Sequence, residues 1–438
     1  MTLTTPITVV RGRFLDIQKT VSQAQDIIDQ VRYIEDGVLI AKQGQIRWFG
    51  SWDDAQAHLP ANVEIQHYPE QLIIPGMIDT HIHFPQTEMV GAYGEQLLSW
   101  LNTYTFPTEI QFQDPSYAQK IAEFFIQELL KNGTTTALVF CTVHPESVDA
   151  LFEAAAQQQM RLIAGKVMMD RHAPEALCDT AESAYEDSKA LIGKWHGQGR
   201  ALYAITPRFA PTSTPEQLER AGQLKAEFPD VYVHTHLSEN KDEIAWVKEL
   251  FPDQKGYLDV YHHYGLTGNR SVFAHCVHLE DAEWQCMHET DSAIAFCPTS
   301  NLFLGSGLFP LKKTWQQQVK VGLGTDIGAG TSFSLLQTVN EAYKVQQLQG
   351  DKLSAFESLY HATLGGAKAL DLDDKLGNFN VGKEADFVVL NLKPTALQQL
   401  RQSRSKSIED SLFALFTMGD DRNIEATYIY GQKAYNQS

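Results

Sequence analysis

Leu72-Ile-Ile-Pro-Gly-Met-Ile-Asp-Thr-His-Ile-His83 is an apolar run that ends in two histidines. Residues two apart on an extended segment point to the same side, so both imidazoles can reach one ion. The run Leu72–Ile78 is also the first of eight, followed by Thr134–Phe140, Arg161–Met169, Ala201–Ile205, Val231–His234, Ser271–Ala274, Ala293–Phe296 and Lys320–Leu323. Between them lie segments of helical period, including Tyr117–Lys131, Ser147–Gln159, Ala181–Trp195, Pro215–Phe228, Glu239–Leu250, Asp281–His288 and Leu335–Gln349. Asp114-Pro115, Thr214-Pro215-Glu216 and Ser334 sit where helix caps and first-turn residues belong. Strands alternating with helices predict a parallel sheet, and eight repeats with polar residues after the strands predict a closed (β/α)8 TIM-like barrel.

Outside that region the texture changes. Ile7–Phe14, Gly37–Lys42 and Gln45–Trp48 at one end, and Asp386–Leu390 and Ala426–Tyr430 at the other, are short apolar or β-branched runs broken by turn residues. The expected fold is α/β, a barrel with a small β-sandwich domain formed by both chain ends. Residues 1–71 and 376–438 would supply the sandwich and residues 72–375 the barrel.

Composition excludes several classes. The 438 residues are 43% hydrophobic and 20% charged, which suits a full-sized core rather than disorder. With 35 basic and 54 acidic side chains the net charge is −19, so nucleic acid and anionic membranes are not expected partners. No stretch approaches the roughly 18 apolar residues of a membrane span. The stretch Met1–Arg11 lacks the pattern of a signal peptide. Five cysteines without a Cys-x-x-Cys spacing speak against a disulfide scaffold, zinc fingers and thioredoxin motifs, and make the cytoplasm the expected compartment. There is no Gly-x-Ser-x-Gly elbow, P-loop or Gly-x-Gly-x-x-Gly.

The 15 histidines are informative by position. His81 and His83 follow the first predicted strand, His234-Thr-His236 ends the fifth, His275 ends the sixth, and Asp326 follows the eighth in Gly322-Leu-Gly-Thr-Asp326. Alone, a His-x-His pair or an Asp in a Gly-rich turn is more often core filler or turn chemistry than a ligand. Together these residues fall on the C-terminal face of a barrel, where such folds keep their chemistry, and their nitrogen and carboxylate donors suit zinc or iron. Glu239, three residues after His236, is expected at the start of the next helix beside the site, although the helix dipole also favours Glu there. His172-Ala-Pro-Glu175 has the same spacing but no second histidine. His144-Pro-Glu146 imitates half of the signature of the small zinc nucleobase deaminases, and the Pro-Cys-x-x-Cys half is missing. Trp100 and Tyr104 fall in a long aromatic stretch after the first strand, which reads as a lid, a binding loop or a subunit contact.

Pro75-Gly-Met-Ile-Asp-Thr-His-Ile-His83, His236-Leu-Ser-Glu239, His275, Gly324-Thr-Asp326 and Gly377-Asn-Phe-Asn-Val-Gly-Lys-Glu-Ala-Asp386 resemble the metal-dependent amidohydrolase superfamily. The stretch from His83 to Glu109, with Lys131-Asn-Gly-Thr-Thr-Thr136, Pro207-Arg-Phe-Ala210 and Thr235-His-Leu-Ser-Glu-Asn240, is similar to the guanine deaminase family within it. The resemblance covers nearly the whole chain and implies hydrolytic deamination of guanine to xanthine and ammonia by a metal-activated water. It implies His81, His83, His236 and Asp326 as ligands of one divalent ion per subunit, Zn2+ before Fe2+, with His275 as a further ligand or close neighbour. It implies Glu239 as acid/base, Asp326 and His275 in the catalytic set, and Gln86, Arg208 and Phe209 around the purine, with Trp100 among the substrate-binding candidates. Guanine and water would be the small-molecule partners and a homodimer the assembly. Lys166, which a two-metal site could carboxylate, lies on the third strand in an apolar run and reads as a buried structural pair. The rival readings are another aminohydrolase of the superfamily, acting on a triazine, cytosine or a nucleoside, and a non-catalytic barrel scaffold. The complete ligand set argues against the scaffold.

Overall fold

The computed structural model describes residues 7–93 and 97–437. Its strands, in chain order, are β1 (Ile7–Ile17), β2 (Val31–Lys42), β3 (Gln45–Ser51), β4 (Ile65–Pro75), β5 (Met77–His83), β6 (Thr134–Phe140), β7 (Arg161–Gly165) and β8 (Val167–Met168). They continue with β9 (Ala201–Pro207), β10 (Tyr232–Leu237), β11 (Ser271–His275), β12 (Ala293–Phe296), β13 (Lys320–Leu323), β14 (Phe387–Leu390), β15 (Ile424–Ile429) and β16 (Gln432–Asn436). The barrel sheet runs β13-β12-β11-β10-β9-β7-β6-β5, all parallel, with β8 paired to β9. Thr80 closes the circle by donating to the Leu323 carbonyl at 3.0 Å, and the Asp326 amide donates to the His81 carbonyl at 2.9 Å.

The second sheet joins both chain ends, in the order β16-β15-β14-β4-β1-β2-β3. It is one continuous seven-stranded sheet that curls over. A bridge between Gln45 and Glu384 brings the β3 edge back to the segment before β14, enclosing Val10, Phe14, Leu39, Ile73, Phe379, Phe387 and Tyr428. Two helices of the tail, Ala396–Gln402 and Ile408–Met418, were not expected from a segment read as β.

The first barrel strand differs from expectation. The apolar run Leu72–Ile78 spans two strands: residues up to Pro75 pair with β14 in the small sheet, and the barrel begins at Met77. Gly76 is the joint, its amide donating to the Asp386 carbonyl, and a side chain there would collide with Thr135. His81 and His83 therefore lie inside β5 rather than after it. Arg161–Met169 likewise divides into β7 and β8 around Lys166. Lys166 Nζ donates to Asp179 at 2.6 Å, a pair in which the lysine is fully buried and the aspartate partly so.

The helices begin where their caps direct. Asp114 accepts from the Ser116 amide at the head of Pro115–Lys131, and Thr214 accepts from the Gln217 amide at the head of Pro215–Glu227. Ser334 precedes Leu335–Leu348 without a side-chain capping bond. At the N-terminal end of the barrel, Ala367, Ala369, Leu370 and Leu372 pack with Ile78, Leu138, Ile163, Tyr232 and Val272. That plug leaves the C-terminal end as the open face. Among the described residues, no helix is long and apolar enough to cross a membrane.

Candidate active site

His81 and His83 leave β5 on one side, as their spacing of two requires. His236 projects from the end of β10, His275 from the end of β11, and Asp326 from the turn after β13. One candidate donor atom each from His81, His83 and His236 lies within 4.8 Å of the others, and the same holds for His81, His275 and Asp326. Asp326 Oδ1 is 3.2 Å from His81 Nε2 and 3.4 Å from His83 Nε2, and its Oδ2 is 3.8 Å from His275 Nε2. Ser238, His275 and Asp326 hold φ of 49°, 72° and 52°, left-handed backbone that is uncommon outside glycine. Strain of this kind costs about 1–3 kcal/mol per residue and clusters where side chains must be aimed.

Burial sets the protonation of the cluster. It holds the imidazoles of His81, His83, His234 and His236 well below the ordinary histidine range, with repulsion among the rings adding to it. They are neutral at pH 7 and keep bare lone pairs. His236 Nδ1 donates to the Arg208 carbonyl at 2.7 Å, which leaves its Nε2 as an acceptor 3.2 Å from His83 Nε2. His81 Nε2 and His83 Nδ1 are buried without a hydrogen-bond partner. Converging neutral nitrogens beside a carboxylate, some of them unsatisfied, are what a divalent ion of borderline softness requires, so the residues fit such a group.

The two carboxyls of the site differ. Burial pushes Asp326 up to about 6, while burial together with the Asp326 charge pushes Glu239 up to about 8. At pH 7 the first is mostly ionised and the second mostly protonated, the separation an acid and a base sharing one site need. Glu239 Oε1 accepts from Ser306 at 3.0 Å, and Oε2 lies 3.5 Å from His275 Nε2. Contrary to expectation, Glu239 precedes the helix: the helix starts at Lys241 with Asn240 as cap. Glu239 is held from below by Glu243, which accepts from the Glu239 amide at 3.0 Å, the Asn240 amide at 3.1 Å and Tyr257 Oη at 2.7 Å.

A cavity opens above this cluster. Gln86, Arg208, Phe209 and Trp100 line it with Leu101, Leu304 and Ala329. The structure thus brings His83, Gln86, Trp100, Arg208, Phe209, His236, Glu239, His275 and Asp326 to one cavity, with His81 buried beneath its lining. The aromatic stretch after β5 forms the helical turn Phe84–Met89 and a helical stretch Leu97–Glu109 with a π turn at Leu101–Thr105, and its Trp100 and Leu101 line the cavity. Trp100 is buried there, its Nε1 without a partner. The decoy histidines stay outside: His172 packs at a tilt against Trp246 and donates to the Pro211 carbonyl, and His144 precedes the helix Pro145–Gln157.

Sequence reasoning missed three contributors and assigned no role to a fourth, His234. His234 stands one layer below the site, its Nε2 2.7 Å from His81 Nδ1 with one hydrogen between them. Asp79 accepts from the Thr325 and His81 amides and so fixes the turn that carries Asp326. Glu243 was legible as the distal member of the capping box Asn240-Lys-Asp-Glu243. Glu109 carried no such signal.

A model of the amidohydrolase family matches residues 72–434. The chain belongs to the amidohydrolase family. Among members of the family, it is 63% identical over 429 residues to a guanine deaminase of Escherichia coli (strain K12), covering 98% of each chain. A solved E. coli guanine deaminase superposes with a TM-score of 0.96 at 60% identity, covering 99% of this chain and 100% of the other. The guanine deaminase from C. acetobutylicum, solved with bound guanine in its active site, has a TM-score of 0.88 at 31% identity, covering 98% and 100%. The barrel and the second sheet are thus the frame of an amidohydrolase.

Proposed function

We propose that the chain is a guanine deaminase, which hydrolyses guanine at C2 to xanthine and ammonia in purine catabolism and salvage. The observation that carries the reading is one cavity holding neutral imidazoles, an ionised carboxylate, a protonated carboxyl and a ring-sized apolar wall. The 63% identity over 98% of the chain to a protein of that name supports it.

His81, His83, His236 and Asp326 would hold one divalent ion per subunit, with His275 as fifth donor or immediate neighbour. Zinc is preferred on resemblance, and iron(II) suits the same donors. When bound, the ion supplies Lewis acidity that lowers the pKa of water to about 7. Asp326 takes the proton of the attacking water. Glu239 donates its proton to ring N3 as C2 becomes tetrahedral, takes up the proton of the new C2 hydroxyl and passes it to the amine, which leaves as ammonia; the proton held by Asp326 then returns to Glu239. Arg208 offers fixed donors to the far edge of the base, Gln86 offers its amide oxygen as an acceptor, and Phe209 and Trp100 wall the ring. Ammonia release from a panel of free bases tests the reading. Guanine is expected to exceed adenine, cytosine and guanosine by about 10³-fold or more in kcat/KM, since a site built around specific hydrogen bonds rejects mismatched partners strongly. A preference for adenine or cytosine would sink it.

The enzyme is further proposed to work in the cytoplasm as a homodimer. Five free cysteines suit a reducing compartment, and the two-fold dimer is the commonest closed assembly. Sedimentation equilibrium is expected to give twice the chain mass of 49.1 kDa. A single-chain mass at micromolar concentration would remove the dimer.

A further inference from the structure

We propose that Glu109 sets the direction in which the cavity reads its base, making the site selective for the lactam edge of guanine; the inference rests on the deaminase reading above. Glu109 ends the turn Phe106–Glu109 and is fully buried. Its Oε1 accepts from Gln86 Nε2 at 3.1 Å and from Arg208 Nη1 at 3.0 Å, and its Oε2 accepts from Arg208 Nη1 at 2.7 Å. An ionised carboxylate only accepts, so it admits the Gln86 amide in one orientation, nitrogen towards Glu109. Oε1 is then the atom left for the cavity. It sits against Gly328, next to Ala329 on the cavity wall, and a side chain at Gly328 would overlap it. Among the described residues, neither Gln86 Oε1 nor Arg208 Nε and Nη2 has a hydrogen-bond partner.

The cavity edge therefore offers an acceptor from Gln86 beside donors from Arg208. A base complements it by presenting a donor beside an acceptor. The N1–H and C6=O of guanine do so. A ring with a 6-amino group and a bare N1 presents the reverse, setting N–H against guanidinium and lone pair against amide oxygen. Buried polar groups left opposed in this way are what gives hydrogen-bonding sites their steep discrimination. Glu109 does not touch the base in this arrangement. It is a positioning residue that acts through Gln86 and Arg208, and its carboxylate is the ion-pair partner of the guanidinium.

The test compares guanine with 2,6-diaminopurine, which keeps the reacting C2 amine and reverses only the N1/C6 edge. In the wild type, kcat/KM for guanine is expected to exceed that for 2,6-diaminopurine by about 10³-fold or more. In Glu109→Gln, whose own amide can either donate or accept, Gln86 is free to turn over, and the ratio is expected to fall at least about 30-fold. A ratio unchanged while both rates drop together overturns the inference, because a loop prop would move both substrates alike. If Glu109→Gln does not fold, Gln86→Met decides. It removes the acceptor that Glu109 orients, so a collapsed ratio supports the inference and an unchanged ratio overturns it. A wild type that turns over both bases equally overturns this inference alone. A wild type inactive on guanine overturns the deaminase reading instead.

Discussion

Glu239→Gln is expected to lower kcat for guanine by about 10³–10⁴-fold while the protein stays folded and keeps its metal. The size follows from what the side chain holds. Burial and the neighbouring Asp326 charge push its carboxyl up to about 8, so at pH 7 it carries a transferable proton in a site from which water is largely excluded. The amide of glutamine fills the same space and can still accept from Ser306, which now donates to Glu239 Oε1. It cannot release a proton to the ring or collect one for the leaving amine. Folding should survive, because Glu243 holds position 239 through the backbone amide and not the side chain. Steady-state ammonia release gives kcat, and elemental analysis gives metal content. Turnover within tenfold of wild type would remove Glu239 from the acid/base role. Loss of metal together with activity would make Glu239 a ligand.

What the sequence revealed and what it hid follow from burial. Strands covered on both faces read as plain apolar runs, which is why Thr134–Phe140 and Ala293–Phe296 coincide with β6 and β12. The same property hid the break at Gly76. β4 and β5 are both buried there, so Leu72–Ile78 reads as one run, and it is pairing with β14 and the hydrogen bond from Gly76 to Asp386, over 300 residues on, that separate them. The mouth of the barrel was legible as an aromatic loop but not as structure. From Leu97 to Glu109 it is helical but interrupted by a π turn at Leu101–Thr105, which breaks the 3.6-residue period, and it is ordered by packing among Met89, Trp100, Leu101, Phe106 and Phe209. His234 and His236 share one side of β10, and only depth in the barrel makes one a site residue and the other its support. A buried carboxylate such as Glu109 leaves no periodic trace, because its partners lie 23 and 99 residues away.

Stripping the metal with a chelator is expected to abolish turnover and lower the melting temperature, with both restored by one equivalent of divalent ion per chain. The structure explains why nothing else replaces the ion. Burial keeps the imidazoles of His81, His83 and His236 neutral, so protons do not enter to bridge them near pH 7. His81 Nε2 and His83 Nδ1 have no partner in the protein. A ligand that binds only the folded state at a thousandfold above its dissociation constant stabilises by about 4 kcal/mol, enough for a shift of several degrees that calorimetry resolves. The stoichiometry carries separate information. A second ion would need a bridging group near the middle strands, and the lysine placed there, Lys166, is fully buried with its ammonium held by Asp179 at 2.6 Å. Two ions per chain would require that pair to open, which a buried ion pair resists at a cost of about 3–5 kcal/mol for the uncompensated charge. Full turnover after stripping would remove the ion from the mechanism, and two equivalents at full activity would replace the single-ion site with a bridged one.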